Sequence, residues 1–277
     1  MANLARCGRC LPEPYVLVLR SILTLILGLV VGCTPLINNL LGYPIQPTPQ
    51  ALEYFASTAG VSLEATSYGW AFVPRQPARG GLAFYASGFV DVRAYAPILR
   101  LIAEGGYRVA LIETPLYALR LESEAALVPI QEEPRLKWAI GGHSLGGEIA
   151  ADFVAKHPGV NALVLWVAIP QKDLSYLTVP TLALFAQNDG FISVPRRMRE
   201  SRKLPGNTQS YVLQGFNHSA FGGYPSAAVD GRLTMPPQEA WQTVADLVLP
   251  FLNDHLGFAE PGDSLKPNSH LGLSPLL

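Results

Sequence analysis

The amino-acid sequence predicts an α/β fold in which a mostly parallel sheet has helices on both faces. Short apolar runs alternate along the chain with segments of helical period, and this alternation is typical of parallel sheets. The chain has 277 residues, of which 49% are hydrophobic and 15% are charged. This length and composition suit one large domain with an extensive core and exclude disorder for most of the chain.

Seven apolar runs are predicted as strands. Each is bounded by turn-forming residues and is short enough for a strand. They cover residues 68–73, 82–85, 107–112, 137–140, 162–167, 181–185 and 210–213.

Three segments between or after these strands have helical period. Apolar side chains at positions 95, 98, 99 and 102 have i, i+3, i+4, i+7 spacing, and Gly105-Gly106 supplies the stop. Residues 145–156 and 239–255 are also predicted to be helical. In such a fold, ligands bind at the carboxyl ends of the strands.

Charge and composition exclude nucleic-acid binding as the main function. The chain has 20 Lys+Arg against 21 Asp+Glu, a formal net charge of -1, and so lacks the basic field that phosphate binding requires. Five His and three Cys are too scattered for a metal cluster, and we predict neither a metal nor an organic cofactor.

The first 33 residues have the pattern of a targeting segment. Arg6, Arg9 and Arg20 precede an uncharged run over residues 21–32, which ends at Cys33. A basic flank, a short apolar core and small residues before a processing site are typical of a secretory signal. The ending Val-Val-Gly-Cys resembles the lipobox of bacterial lipoproteins, which implies lipidation at Cys33 and anchoring of the mature chain to a membrane.

Two alternatives to the lipoprotein remain open, an uncleaved anchor and an ordinary cleaved signal. All three place the body outside the cytoplasm, in the cell envelope, because residues 21–74 contain no Lys or Arg. We expect four parts: the signal or anchor (1–33), a proline-containing spacer leading into the fold (34–66), the α/β domain (67–257) and a flexible C-terminal tail (258–277).

A nucleophile motif lies between a predicted strand and a predicted helix. The sequence there is Gly142-His143-Ser144-Leu145-Gly146, a G-x-S-x-G pattern. In a strand-turn-helix context, this pattern presents the serine hydroxyl above the sheet at a helix N-terminus. Ser144 is therefore the candidate nucleophile, and the Leu145 amide is a candidate donor to an oxyanion.

A serine nucleophile needs a base, and the base needs a group that orients it. Asp189 follows the predicted strand 181–185, and His218 follows the predicted strand 210–213. They come in the order serine, acid, histidine that this kind of motif requires. Asp173, after the preceding strand, is the alternative acid. For the second oxyanion amide, Gly88 is the first choice and Phe89 the second.

These motifs together resemble the α/β-hydrolase superfamily and, within it, the small dienelactone-hydrolase-like group of serine esterases. The resemblance covers about residues 68–255. It is carried by the segments 141–147, 85–90 with 95–97, and 217–218 with 221–224. It implies a Ser144, His218 and Asp189 triad that works through an acyl-enzyme. True dienelactone hydrolases have cysteine at the nucleophile position, where this chain has Ser144.

The sequence leaves the substrate open. Only residues 168–180 separate two predicted strands at the place where relatives insert a cap, so we expect no large cap domain. The candidates for lining the substrate pocket are the aromatic residues Phe89, Tyr117, Phe191, Phe221 and Tyr224. We expect hydrolysis of a small or lipid-like carboxylic ester. The alternative is a catalytically degenerate module that binds lipid or acts as an envelope scaffold. The sequence does not determine the oligomeric state.

Overall fold

The computed structural model describes residues 44–113, 123–257 and 273–275. Nine strands in these residues form one sheet, in the order β1-β2-β4-β3-β5-β6-β7-β8-β9. The strands are β1 (Val61–Thr66), β2 (Gly69–Pro74), β3 (Gly81–Tyr85), β4 (Arg108–Ile112), β5 (Trp138–His143), β6 (Ala162–Trp166), β7 (Thr181–Ala186), β8 (Thr208–Leu213) and β9 (Leu273–Pro275).

The sheet is mostly parallel, which confirms the predicted fold class. All pairings from β4 through β3, β5, β6 and β7 to β8 are parallel. Only β1, β2 and β9 pair antiparallel, at the two edges. Every residue of β3, β5, β6 and β7 is buried, as expected of parallel strands that are covered on both faces.

Six α-helices accompany the sheet in the described residues. They are α1 (Pro49–Leu52), α2 (Ala96–Glu104), α3 (Leu127–Glu132), α4 (Leu145–Lys156), α5 (Val194–Glu200) and α6 (Pro237–Leu256). Helix α2 packs against α6, and α4 packs against β5 and β6. Short 3-10 helices occur at Val92–Tyr95, Ser123–Ala126, Ser201–Lys203 and His218–Phe221.

The predicted spacer contains ordered structure in its described part. Helix α1 and strand β1 both lie within residues 34–66. The Ile45 amide donates to the Phe89 carbonyl at 2.8 Å, and the Thr48 amide donates to the Gly223 carbonyl at 2.7 Å. Strand β1 was not predicted because the prediction rested on apolar runs, whereas its six residues alternate apolar with polar, as in a strand with one exposed face.

The absence of a cap between β6 and β7 is confirmed, because residues 168–180 contain neither a helix nor a strand. The C-terminal segment that we expected to be flexible contributes the short strand β9, and its other residues lie outside the described ranges. The predicted signal or anchor and Cys33 also lie outside them. No helix in the described part of the chain is long and apolar enough to cross a membrane.

Candidate active site

The turn between β5 and α4 has the geometry of a nucleophile elbow. Ser144 lies between the last residue of β5 and the first of α4, with φ 53° and ψ -119°. A positive φ is strained for a residue with a side chain and persists only where the surroundings enforce it. The Ser144 amide donates to the Trp166 carbonyl at 2.9 Å, which fixes the turn against β6. The half-buried serine is therefore presented at the carboxyl end of the central strands.

The glycines of the motif allow a close approach of backbone to backbone. A Cβ on Gly142 would overlap the backbone of Gly146 across the turn. A Cβ on Gly146 would overlap the carbonyl oxygens of Tyr85 and Ala86. The first turn of α4 is thus packed directly against the end of β3, where the predicted oxyanion loop begins.

The structure brings the predicted acid and base together. Nδ1 of His218 lies 3.3 Å from Oδ1 and 3.2 Å from Oδ2 of Asp189. Because a carboxylate only accepts, Nδ1 carries the proton, and Nε2 of the neutral ring is then an acceptor. The Asp189 side chain is only 3% exposed, and its Oδ1 also accepts from the amides of Phe191 and Ile192 at 2.7 and 2.9 Å.

The alternative acid, Asp173, has a different environment. It is exposed, and its Oδ1 accepts from the Ser175 amide at 2.9 Å. The hydrogen bonds from Ser175 lower the pKa of Asp173. Asp189, not Asp173, is the carboxylate that contacts His218.

His218 lies beside the elbow. Its ring centroid is 4.8 Å from that of His143, the residue before Ser144. Nε2 of His143 lies 3.2 Å from the His218 carbonyl oxygen. The hydrogen bonds within residues 44–113 and 123–257 do not include one between the Ser144 hydroxyl and the His218 ring, so transfer of a proton between them belongs to the proposed function.

The candidate oxyanion donors lie at the start of helix α4 and in the turn after strand β3. Leu145 is the first residue of α4, where backbone amides have no partner inside the helix and the helix dipole is positive. Gly88 is buried in a turn closed by a hydrogen bond from the Val90 amide to the Ser87 carbonyl at 3.2 Å. The Ser87 amide is already engaged, because it donates to the Tyr95 hydroxyl at 3.2 Å.

The candidate pocket residues differ in how far they are exposed to solvent. Phe221 is fully buried and stacks on His143 with centroids 6.0 Å apart, so its prediction as a pocket residue is corrected: it belongs to the core. Tyr224 is half-buried. Phe89 is 45% exposed, and Tyr117 lies outside the described residues. Phe191, 47% exposed, places its ring 4.6 Å from that of His218.

Sequence reasoning missed Asp230, which connects the acid loop to the histidine loop. Its Oδ1 accepts from the amides of Gly190 at 3.2 Å and His218 at 3.0 Å. Its Oδ2 accepts from the Ser219 amide at 3.0 Å and the Ser219 hydroxyl at 2.7 Å. The Val-Asp-Gly triplet around it resembles any polar turn, so no local signal distinguishes this residue.

Metal ligands are not clustered in the described part of the chain: no group of three or more His, Cys, Asp or Glu side chains there is placed to hold a metal ion.

The strand order, the elbow and the acid-base pair define an α/β hydrolase. A family model described as the alpha/beta hydrolase family matches residues 81–242, which is more than half of the chain. The chain therefore belongs to the alpha/beta hydrolase family.

Among solved structures, the chain is similar to a ferulic acid esterase from Streptomyces cinnamoneus, with a TM-score of 0.57 and 17% sequence identity. The similarity covers 74% of this chain and 75% of that one. At this identity, it supports the fold alone. No curated protein matches the sequence.

Proposed function

We propose that this protein is a serine hydrolase that cleaves carboxylic esters through an acyl-enzyme. The observation that carries the proposal is the contact of His218 Nδ1 with the nearly buried Asp189 carboxylate, 3.2 Å away, beside the strained elbow residue Ser144. An imidazole oriented in this way and a hydroxyl at a strand-turn-helix elbow are the parts that acyl transfer requires.

The reaction begins with proton transfer from the Ser144 hydroxyl to Nε2 of His218. The serine oxygen forms a bond to the ester carbonyl carbon, and the carbonyl oxygen becomes an oxyanion. The amides of Leu145 and Gly88 donate to this oxyanion. Asp189 stabilises the imidazolium and holds the ring in the required tautomer.

Collapse of the tetrahedral intermediate breaks the bond to the alcohol, which takes the proton from His218. Water then enters, gives a proton to His218 and attacks the acyl carbon. The bond between the acyl carbon and the Ser144 oxygen then breaks, this oxygen takes the proton back from His218, and the carboxylic acid is released. Within the family, peptidase or acyl-transfer chemistry would use the same groups; the description of the similar solved structure as an esterase supports the choice of an ester substrate.

The substrate specificity is assigned to the site loops, because the described residues contain no cap domain between β6 and β7. The exposed rings of Phe89 and Phe191 belong to the oxyanion loop and the acid loop. They favour an acyl group or alcohol with apolar surface.

The test combines covalent labelling with turnover. A fluorophosphonate probe should label the wild type and Ser175→Ala, which alters an exposed loop serine, but not Ser144→Ala. p-Nitrophenyl esters of graded acyl length should be hydrolysed by the same two labelled proteins. If the wild type is neither labelled nor active on any ester, the proposal is wrong and the chain is better explained as a degenerate lipid-binding or scaffolding module.

We also propose that the protein is tethered outside the cytoplasm by lipidation at Cys33. The support is the sequence pattern alone, since the residues concerned lie outside the described ranges. Intact-mass measurement of membrane fractions should give a chain that begins at Cys33 and carries acyl groups. An unmodified chain beginning at Met1 would contradict the proposal.

A further inference from the structure

A chain of hydrogen bonds runs through buried residues next to the proposed catalytic groups. The Tyr95 hydroxyl lies 2.9 Å from Nδ1 of His143, and Nε2 of His143 lies 3.2 Å from the His218 carbonyl oxygen. At the other end, the Ser87 amide donates to the Tyr95 oxygen at 3.2 Å. Tyr95 and His143 are fully buried, and neither takes part in the proposed reaction steps.

The direction of each bond in this chain can be assigned. The His218 carbonyl only accepts, so Nε2 of His143 carries the proton. Burial, and then the nearby His218, lower the pKa of His143 well below its usual value of 6.5, so this ring is neutral. Nδ1 of a neutral ring protonated at Nε2 is an acceptor, and Tyr95 must therefore donate to it. Burial raises the pKa of Tyr95, which keeps the phenol protonated.

The two ends of the chain lie at the two parts of the proposed site that must keep a fixed separation. Ser87 opens the turn that contains the candidate oxyanion donor Gly88, and the Ser87 carbonyl closes that turn by accepting from Val90. His218 is the proposed base. The links between these ends are two rigid aromatic rings in the core, with centroids 5.6 Å apart.

We propose that His143 and Tyr95 are positioning residues, which hold the oxyanion turn and His218 in register through one oriented hydrogen-bond chain. The inference rests on the proposed serine hydrolase function. Positioning differs from packing in a way that can be tested. Removal of the Tyr95 hydroxyl alone would preserve the packing of the ring but would break the hydrogen-bond chain.

The first test is Tyr95→Phe. We expect kcat to fall about tenfold to hundredfold with KM changed less than about threefold, since the lost interaction aligns groups for the transition state rather than binding the ester. The rate of fluorophosphonate labelling should fall in parallel. Tyr107→Phe is the matched control, because Tyr107 is also fully buried and its hydroxyl donates to Asn253 at 2.7 Å, on helix α6. The control should retain the wild-type kcat and labelling rate.

A second pair of variants separates the two bonds of His143. In His143→Gln, the amide nitrogen approximates Nε2 and can still donate to the His218 carbonyl. In His143→Asn, the amide oxygen approximates Nδ1 and can still accept from Tyr95, but the shorter side chain does not reach His218. We expect the glutamine variant to retain severalfold more kcat than the asparagine variant.

The outcomes test the positioning role separately from the proposed serine hydrolase function. A folded Tyr95→Phe with wild-type kcat and labelling rate overturns the positioning role. The same conclusion holds if this variant is less stable to heat but keeps both rates. If Tyr95→Phe does not fold, equal kcat in the two His143 variants overturns it. A wild type that is neither labelled nor active overturns the proposed function itself, and the inference with it.

Discussion

Replacement of Asp230 by asparagine should weaken both the fold and the proposed catalysis. Oδ1 of Asp230 accepts from the amides of Gly190, His218 and Gly231, while Oδ2 accepts from the Ser219 amide and hydroxyl. Asparagine keeps one acceptor oxygen and replaces the other with a donor. Whichever way the amide is turned, at least one backbone N–H then faces an NH₂ group.

The magnitude follows from these contacts. One backbone donor left without an acceptor costs about 1–3 kcal/mol, and the remaining bonds lose the extra strength of a charged acceptor. Asp230 is half-buried, so water can replace part of the loss. We therefore expect the free energy of unfolding to fall by about 2 kcal/mol. Because the backbone of His218 loses a fixed contact, kcat should fall about tenfold with little change in KM.

Urea unfolding followed by circular dichroism measures the first effect, and turnover of a p-nitrophenyl ester measures the second. Asp246→Asn is the matched control, since Asp246 is exposed on α6 and accepts only from Gln242 one turn earlier; its change should stay within about 0.5 kcal/mol. If Asp230→Asn behaves like Asp246→Asn in both assays, the carboxylate does not hold the two loops together.

Asp189→Asn should lower kcat by roughly 10⁴-fold with the fold intact, because His218 is no longer held in the tautomer that carries its proton on Nδ1. Asp173→Asn should keep the wild-type kcat, and ester turnover of the two variants measures the difference. Gly146→Ala should destabilise the fold by about 3 kcal/mol or more, the cost of overpacking, because its Cβ overlaps two backbone oxygens. Gly159→Ala is the control: a Cβ there has no neighbouring atom within 4 Å, so thermal melts should show no change. Finally, burial lowers the pKa of His143 well below 6.5 in the folded chain, so the unfolded chain takes up a proton at a higher pH than the folded chain does. Stability should therefore fall as pH drops below that value, by up to about 1.4 kcal/mol per pH unit, and this slope should be smaller in His143→Gln urea titrations.

The parallel core of the fold could be predicted from the sequence because its strands carry their own signal. Strands β3, β6 and β7 are continuous apolar runs, and burial on both faces requires such runs. Strand β5 extends further than predicted, to His143. Its last residues include two glycines, which have low strand propensity and are retained for close packing at the elbow.

The edges of the sheet carried a different signal. Strand β1 alternates apolar with polar residues, which is typical of a strand with one exposed face and is not found in an apolar run. Strand β9 has only three residues and depends on its pairing with β8.

Ser144, Asp189 and His218 could be proposed from the sequence because each follows a strand with a clear signal. Asp230 and Tyr95 could not, since their roles depend on contacts between distant segments. Tyr95 was recognised as part of a helical stripe and of a segment that carries the family resemblance, neither of which indicates what its hydroxyl contacts. Phe221 was assigned to the pocket because an aromatic residue after the proposed base suits a pocket and the core equally well, and only its burial separates the two.

The proposed acyl-enzyme at Ser144 can be observed directly. The protein is mixed with p-nitrophenyl acetate, quenched in acid within the first turnover, digested and mapped by mass spectrometry. We expect an acetyl group on the peptide that contains Ser144, with none on that peptide in Ser144→Ala. Ester hydrolysis by the wild type with an acetyl group on another residue, or with the same rate in Ser144→Ala, would contradict it.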